Sequence, residues 1–329
     1  MKKQLCLLLA VLIGVTVCFG CSGNTDNPTV MVIGGEKIAL DEFNYFYYNS
    51  KADYDRGDES YWNDPAHVKA LDDEVLFALR RNHAIKEQAK KYKISLSSDV
   101  KNSIENAVNK TKESYADVSE FYNSLDSNHM SERMFGQMLE LNQLWRLLYE
   151  HVTNEASGII HADDATLLAD IPKNFYRATH ILIMNDEGDV PSVNRVLAEK
   201  LLGQLKDGGD FEALKDQYGE DTGVKGNPDG YYFTEGQMIK SFGDTVKSLG
   251  IGETSGVVES QYGYHIIRRL PLEDVYINTH LEELREAYMA RIFNEELKAD
   301  AESYNAEYTD AYRALEIPSN KLSNSDETT

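Results

Sequence analysis

Apolar positions recur with helical spacing through the first half of the chain. Val68, Leu71, Val75 and Leu79 step by three and four residues, the period of a helix with one buried face. Asp64-Pro65 supplies an N-cap and a first helical residue, and the pattern runs to about Tyr92. Ahead of it, Val30–Ile33, Gly34-Gly35 and Lys37–Leu40 predict a hairpin. Asp41 is expected to cap a helix carrying Phe43, Phe46 and Tyr47. A third helix starts at Ser97 or Ser98, with Val100, Ile104 and Val108 on one side. A fourth spans about Ser131 to Val152, with Phe135, Met138, Leu141, Trp145 and Leu148 on a broad face read as helix core.

From Tyr176 the period changes. Ala178–Met184 is an aliphatic strand interrupted by His180, and Asp186–Pro191 is a turn. Val193, Val196, Leu197, Leu201 and Leu205 trace a helix closed by Gly208-Gly209. Asp210 caps a short helix, and a loop rich in Gly, Pro and Asp runs from Gly219 to Gly230. Phe242–Leu249 is a further helix, and Thr254–Val258 and Tyr264–Leu270 are strands joined at Gln261–Gly263. The order β-α-α-loop-α-β-β makes this an α+β domain. A helical stretch from about Asp274 to Leu315 is expected to return to the N-terminal helices. The resulting plan is a helical domain over 30–172, a second domain over 173–272, a returning helix over 273–317 and a disordered tail over 318–329.

Composition narrows the function. The chain has 329 residues, 42% of them hydrophobic, enough for real cores. A formal net charge of −22 argues against nucleic acid as a partner. Lys2 and Lys3 precede an apolar run from Leu5 to Phe19, a signal peptide over 1–20 rather than a membrane span. Gly20-Cys21 resembles a bacterial lipobox, so Cys21 is the expected lipidation site, followed by a tether over 21–29. The only cysteines are Cys6, Cys18 and Cys21, which leaves the processed chain without thiol chemistry or a disulfide. No H-E-x-x-H, C-x-x-C or G-x-S-x-G motif is present, and neither a metal nor a cofactor is expected. A transporter's solute-binding protein is disfavoured because repeated βαβ units are missing.

Several segments resemble parvulin-type peptidyl-prolyl isomerases. Ala178–Ile183 is similar to their opening strand and Gly209–Leu214 to a helix start. Gly236-Gln237-Met238 with Phe242 is similar to the substrate-pocket motif. Gly252–Val258 and Tyr262–Ile267 are similar to the closing hairpin. The whole plan resembles the PrsA foldase lipoproteins of Gram-positive bacteria and the SurA chaperone. The resemblance implies an α+β fold: an antiparallel sheet with surrounding helices, beside a helical chaperone domain completed by the C-terminal helix. It implies that His180 and His265 hydrogen-bond to each other as the polar floor of a catalytic site. Asp221 would lie beside the isomerising bond, and Phe233, Gln237, Met238, Phe242 and Tyr262 would bind substrate. The implied partners are unfolded exported polypeptides with X–Pro bonds, met at the outer face of the cell membrane by a chain anchored through Cys21, with room for a homodimer. Gly230 stands where the family carries Leu, so a weakened pocket wall is expected. A non-catalytic holdase is the alternative this leaves.

Overall fold

The computed structural model describes residues 27–55, 59–185 and 191–320. The predicted signal peptide, Cys21 and the 186–190 part of the turn lie outside them. The chain divides into two compact units, 1–151 with 296–329, and 152–295.

The first unit opens with a hairpin of β1 (Thr29–Ile33) and β2 (Glu36–Ala39). Helix α1 (Leu40–Asp55) follows at once, so Asp41 sits inside its first turn rather than capping it. Helix α2 (Pro65–Lys91) starts as expected, with the Asp64 carboxylate accepting the Ala66 N–H. Helix α3 (Ser98–Glu113) is capped by Ser97. Helix α4 (Val118–Ser127), capped by Asp117, was not expected. Helix α5 (Glu132–Thr153) follows. The core joins Val30, Ile33 and Ile38 of the hairpin to Phe43 and Tyr47 of α1 and to Val68, Leu71, Val75 and Leu79 of α2.

The second unit begins at α6 (Asp164–Asn174), also unexpected, with Asp163 as its N-cap. Strand β3 (Phe175–Met184) leads to α7 (Pro191–Lys206) and α8 (Phe211–Tyr218), the latter capped by Asp210. Strand β4 (Tyr231–Thr234), helix α9 (Lys240–Ser248), and strands β5 (Thr254–Ser260) and β6 (Gly263–Leu270) complete an antiparallel sheet of order β4-β3-β6-β5. One face packs Ile181, Ile183, Tyr264 and Ile266 against α7 and α8. The other packs Ala178 and Ile267 against Phe242 and Val246 of α9.

The stretch after Pro271 is not one helix. It divides into α10 (Asp274–Thr279), α11 (Leu281–Ser303), strand β7 (Ala306–Tyr308) and α12 (Asp310–Arg313). Strand β7 pairs with β1, so the C-terminal return is completed through a sheet. Ile277 and Leu284 join Leu167, Ile171 and Phe175 in one core, so the second unit is wider than the 173–272 read from sequence. Part of the expected tail is ordered. Ser319 donates to the Asp72 carboxylate at 2.6 Å, and the Asn320 amide donates to Tyr312 O and Leu315 O. Among the described residues no helix is long and apolar enough to cross a membrane.

Candidate active site

Strand alternation decides which side chains meet. Successive residues of a strand face opposite sides, so His180 shares the α9 face with Ala178, and His265 shares it with Ile267. His180 lies opposite Ile267 and His265 opposite Leu182, which sets the two imidazoles diagonally across neighbouring strands. Both are buried, and their Nδ1 atoms are 3.2 Å apart.

The contacts continue at both ends. His180 Nε2 lies 2.7 Å from Asp221 Oδ2, and the Tyr231 hydroxyl donates to the same oxygen at 2.5 Å. Asp221 Oδ1 accepts the Gly223 N–H at 2.8 Å, capping the short 3-10 turn Thr222–Gly226. At the far end His265 Nε2 is 2.7 Å from Ser260 Oγ, which itself accepts the Tyr262 N–H at 3.1 Å.

These distances fix the protons when both rings are neutral. A carboxylate can only accept. His180 therefore donates from Nε2, and its Nδ1 accepts from His265 Nδ1–H. His265 Nε2 then accepts the Ser260 hydroxyl proton. Every donor in the chain points toward Asp221.

The electrostatics agree with that direction. Burial pushes the Asp221 carboxyl up, but hydrogen bonds from His180, Tyr231 and Gly223 outweigh it and hold the group at about 2. Burial, and after it the neighbouring His180, lowers His265 to about 4 against a weaker opposing pull from Asp221. Burial and then the Asp221 carboxylate push the Tyr231 phenol up. Near neutral pH the site thus holds one carboxylate, a neutral His265 and an un-ionised tyrosine.

Beside this line stands an apolar wall. Phe242 meets His180 edge-on at 5.2 Å between ring centroids and His265 at 6.0 Å. Phe233 lies 5.9 Å from Phe242, and Met238 packs on the same cluster. The structure brings His180, Asp221, His265, Phe233, Met238 and Phe242 together. Gln237 is exposed and spends its Oε1 on the backbone and hydroxyl of Thr234, in the turn before α9. Tyr262 occupies the β5–β6 turn, where its backbone N–H supports Ser260.

Gly230 proves to be a turn residue rather than a gap in the wall. Its φ is +85°, and a Cβ there would come within 2.8 Å of Ala178 O. A leucine could not stand at that place in this backbone. Two members of the polar line, Tyr231 and Ser260, were missed. Tyr231 had a signal, a tyrosine opening a run of aromatics after the acidic loop. Ser260 had only its place two residues before the β5–β6 turn.

Comparison with known proteins agrees with the geometry. The PPIC-type PPIASE domain family matches residues 169–270, and the SurA-like N-terminal domain family matches residues 1–148. In this pairing of domains the chain is similar to the PrsA and SurA proteins. It is 27% identical over 291 residues to a foldase protein PrsA of Caldanaerobacter subterraneus, covering 82% of each chain. It is 41% identical over 93 residues to foldase protein PrsA 1 of Bacillus cereus, a match spanning 28% of this chain and 29% of that relative. The crystal structure of a peptidylprolyl isomerase (PrsA) from Bacillus anthracis is 25% identical with a TM-score of 0.30, covering 68% of this chain and 95% of that one. By the family matches, the PPIC-type domain lies within the α+β unit, and the SurA-like match falls on the helical unit.

Proposed function

We propose that this PPIC-type domain catalyses cis–trans isomerisation of X–Pro bonds in unfolded exported polypeptides, as part of a foldase held at the outer face of the cytoplasmic membrane by a lipid on Cys21. The observation that carries the reading is a polar line of uniform direction ending at Asp221, set beside the Phe233–Met238–Phe242 wall. Rotation about the amide has a barrier of about 20 kcal/mol because conjugation must be broken. No bond is cleaved, so neither a nucleophile nor a cofactor is needed.

Each group then has a physical task. The planar amide carries negative charge on its carbonyl oxygen, and twisting returns part of that charge to nitrogen. A carboxylate near the carbonyl disfavours the planar form more than the twisted one. The aromatic and thioether wall grips the proline ring, an apolar five-membered shape that flat rings and a flexible Met accommodate. His180 and His265 keep Asp221 ionised and oriented by donating toward it. Gln237 and Tyr262 border the wall from the turns and would contact the chain flanking the proline.

A proline-peptide isomerisation assay tests this. The Met238→Ala, Phe242→Ala double variant is expected to lose most of the catalysed rate while remaining folded. A catalysed rate equal to wild type in that variant would sink the assignment. The same assay separates the non-catalytic holdase alternative: a wild-type chain that suppresses aggregation without accelerating isomerisation would favour it.

A further inference from the structure

A cavity of about 220 Å³ lies in the helical unit between α1, α2 and α5, remote in sequence from the isomerase residues. Met134, Met138, Leu141 and Leu144 of α5 line one side. Glu42 of α1 and Asn82 of α2 line the other. These two are 7% and 5% exposed, and their polar atoms open onto the cavity rather than being sealed without a partner. A carboxylate and an amide at the end of an apolar slot offer acceptors to a ligand that brings its own donors in place of water.

Charge and size define the ligand. The rim adds Glu140, and Lys86, which also lines the cavity, has its ammonium paired with Glu36 at 2.5 Å. Burial pushes the Glu42 carboxyl up, and Lys86 does not offset it. Two carboxyls line this cleft, and its lysine is already paired with Glu36, so a cationic head is favoured there. The volume falls below the roughly 300–1,000 Å³ of small-molecule sites, yet exceeds the ~150 Å³ that holds one benzene. That is room for one long side chain. Methionine and leucine walls suit an aliphatic stem that buries its methylenes and carries its charge at the tip.

We propose that this cavity binds a lysine or arginine side chain of an unfolded polypeptide, its stem along the α5 wall and its cationic head at Glu42 and Asn82. The inference is independent of the isomerase reading and gives the helical unit a selective contact with clients.

Fluorescence anisotropy of the full chain tests it, using a labelled, proline-free peptide of alternating leucine and lysine. Glu42→Gln is expected to weaken binding at least tenfold. Replacing each peptide lysine by norleucine, which keeps the stem and drops the charge, is expected to do the same. Met138→Trp, which fills the cavity, is expected to abolish the lysine preference. Isomerisation of a short proline peptide is expected to be unchanged in Glu42→Gln, so failure here and failure of the isomerase reading are separable. If Glu42→Gln does not fold by circular dichroism, the norleucine arm on the wild-type chain decides alone. Equal affinity for the lysine and norleucine peptides overturns the proposal. So does displacement of the peptide by n-butylamine at a concentration matching its lysines, which would mark a site for free amines.

Discussion

One carboxylate, Asp221, collects three donors, and the phenol of Tyr231 is the only one of them that can be removed without touching backbone or histidine. Tyr231→Phe keeps the ring against His180, 5.8 Å away, and removes the proton. The carboxyl is partly exposed, so water replaces part of what is lost. The expected cost is about 1 kcal/mol in urea unfolding. A larger fractional loss is expected in catalysed isomerisation, because an Asp221 that has lost a donor turns more freely. A variant as active as wild type would remove Tyr231 from the site.

The same residues fix a pH response. His265 titrates at about 4 in the folded chain against 6.5 when unfolded. Between these values the unfolded chain binds more protons, so stability falls as pH drops from about 6.5 to 4 and this contribution is flat above. Asp221 acts in the same direction lower down, its stabilisation being lost as pH falls from about 3.8 through 2. The shift at His265 corresponds to roughly 3 kcal/mol, as an upper order of magnitude. Wild type should therefore lose more stability than His265→Asn between pH 7 and 4.5 in urea titrations. The His265 ring should stay neutral from pH 8 to 5 when followed by NMR, and a midpoint near 6.5 in its own resonances would contradict the lowered value.

At the scale of elements, β3 and β6 depend on a close approach at their ends. Gly263 has φ +134°, and a Cβ there would fall 2.1 Å from Ile183 O. It sits two residues before His265, so any accommodation moves the histidine pair. Gly263→Ala is expected to destabilise the unit by about 2–4 kcal/mol and to remove the catalysed rate, whereas Gly256→Ala, with open space around it, should do neither. Thermal unfolding of both variants checks this. Elements with a strong apolar period and a capping residue, such as α2 with Asp64 and α8 with Asp210, were legible in the sequence. The meeting of His180 and His265 came only through the resemblance to parvulins, because β3 is buried on both faces and shows no alternation around His180. Strand β4 was not, because Tyr231–Thr234 follows a glycine-rich loop and is an edge strand held by only one neighbour, β3. Helices α4 and α6 were missed although Asp117 and Asp163 cap them, since each shows little more than two buried positions. The break at β7 is a tertiary effect: Ala306–Tyr308 becomes a strand because β1 offers a free edge.

At the scale of the whole molecule, the division between units predicts which fragments stand alone. The family match covers 169–270, whereas the compact unit covers 152–295. The difference includes residues 164–168 of α6, all of α10 and residues 281–295 of α11, which bring Leu167, Ile277 and Leu284 into one core with Ile171 and Phe175. The same segments supply Arg291, whose Nη2 donates to both carboxylate oxygens of Asp170 at 2.8 Å, and contacts from Arg285 to Ala162 O and Asp164. Cutting at the family boundary keeps Ile171 and Phe175 but removes their partners. Burial of a Leu or Ile side chain is worth about 1.5–3 kcal/mol, so removing three such residues from one core costs a sizeable part of a domain's 5–15 kcal/mol. A fragment of 152–295 is expected to unfold cooperatively and keep the catalysed isomerisation of short proline peptides. A fragment of 169–270 is expected to be less stable by several kcal/mol, with a lower urea midpoint, while its His180–Asp221–His265 geometry, built wholly from β3, β6 and the loop between α8 and β4, stays competent wherever it remains folded. If both fragments show the same midpoint, the flanking helices are passengers and the family boundary is also the stability boundary.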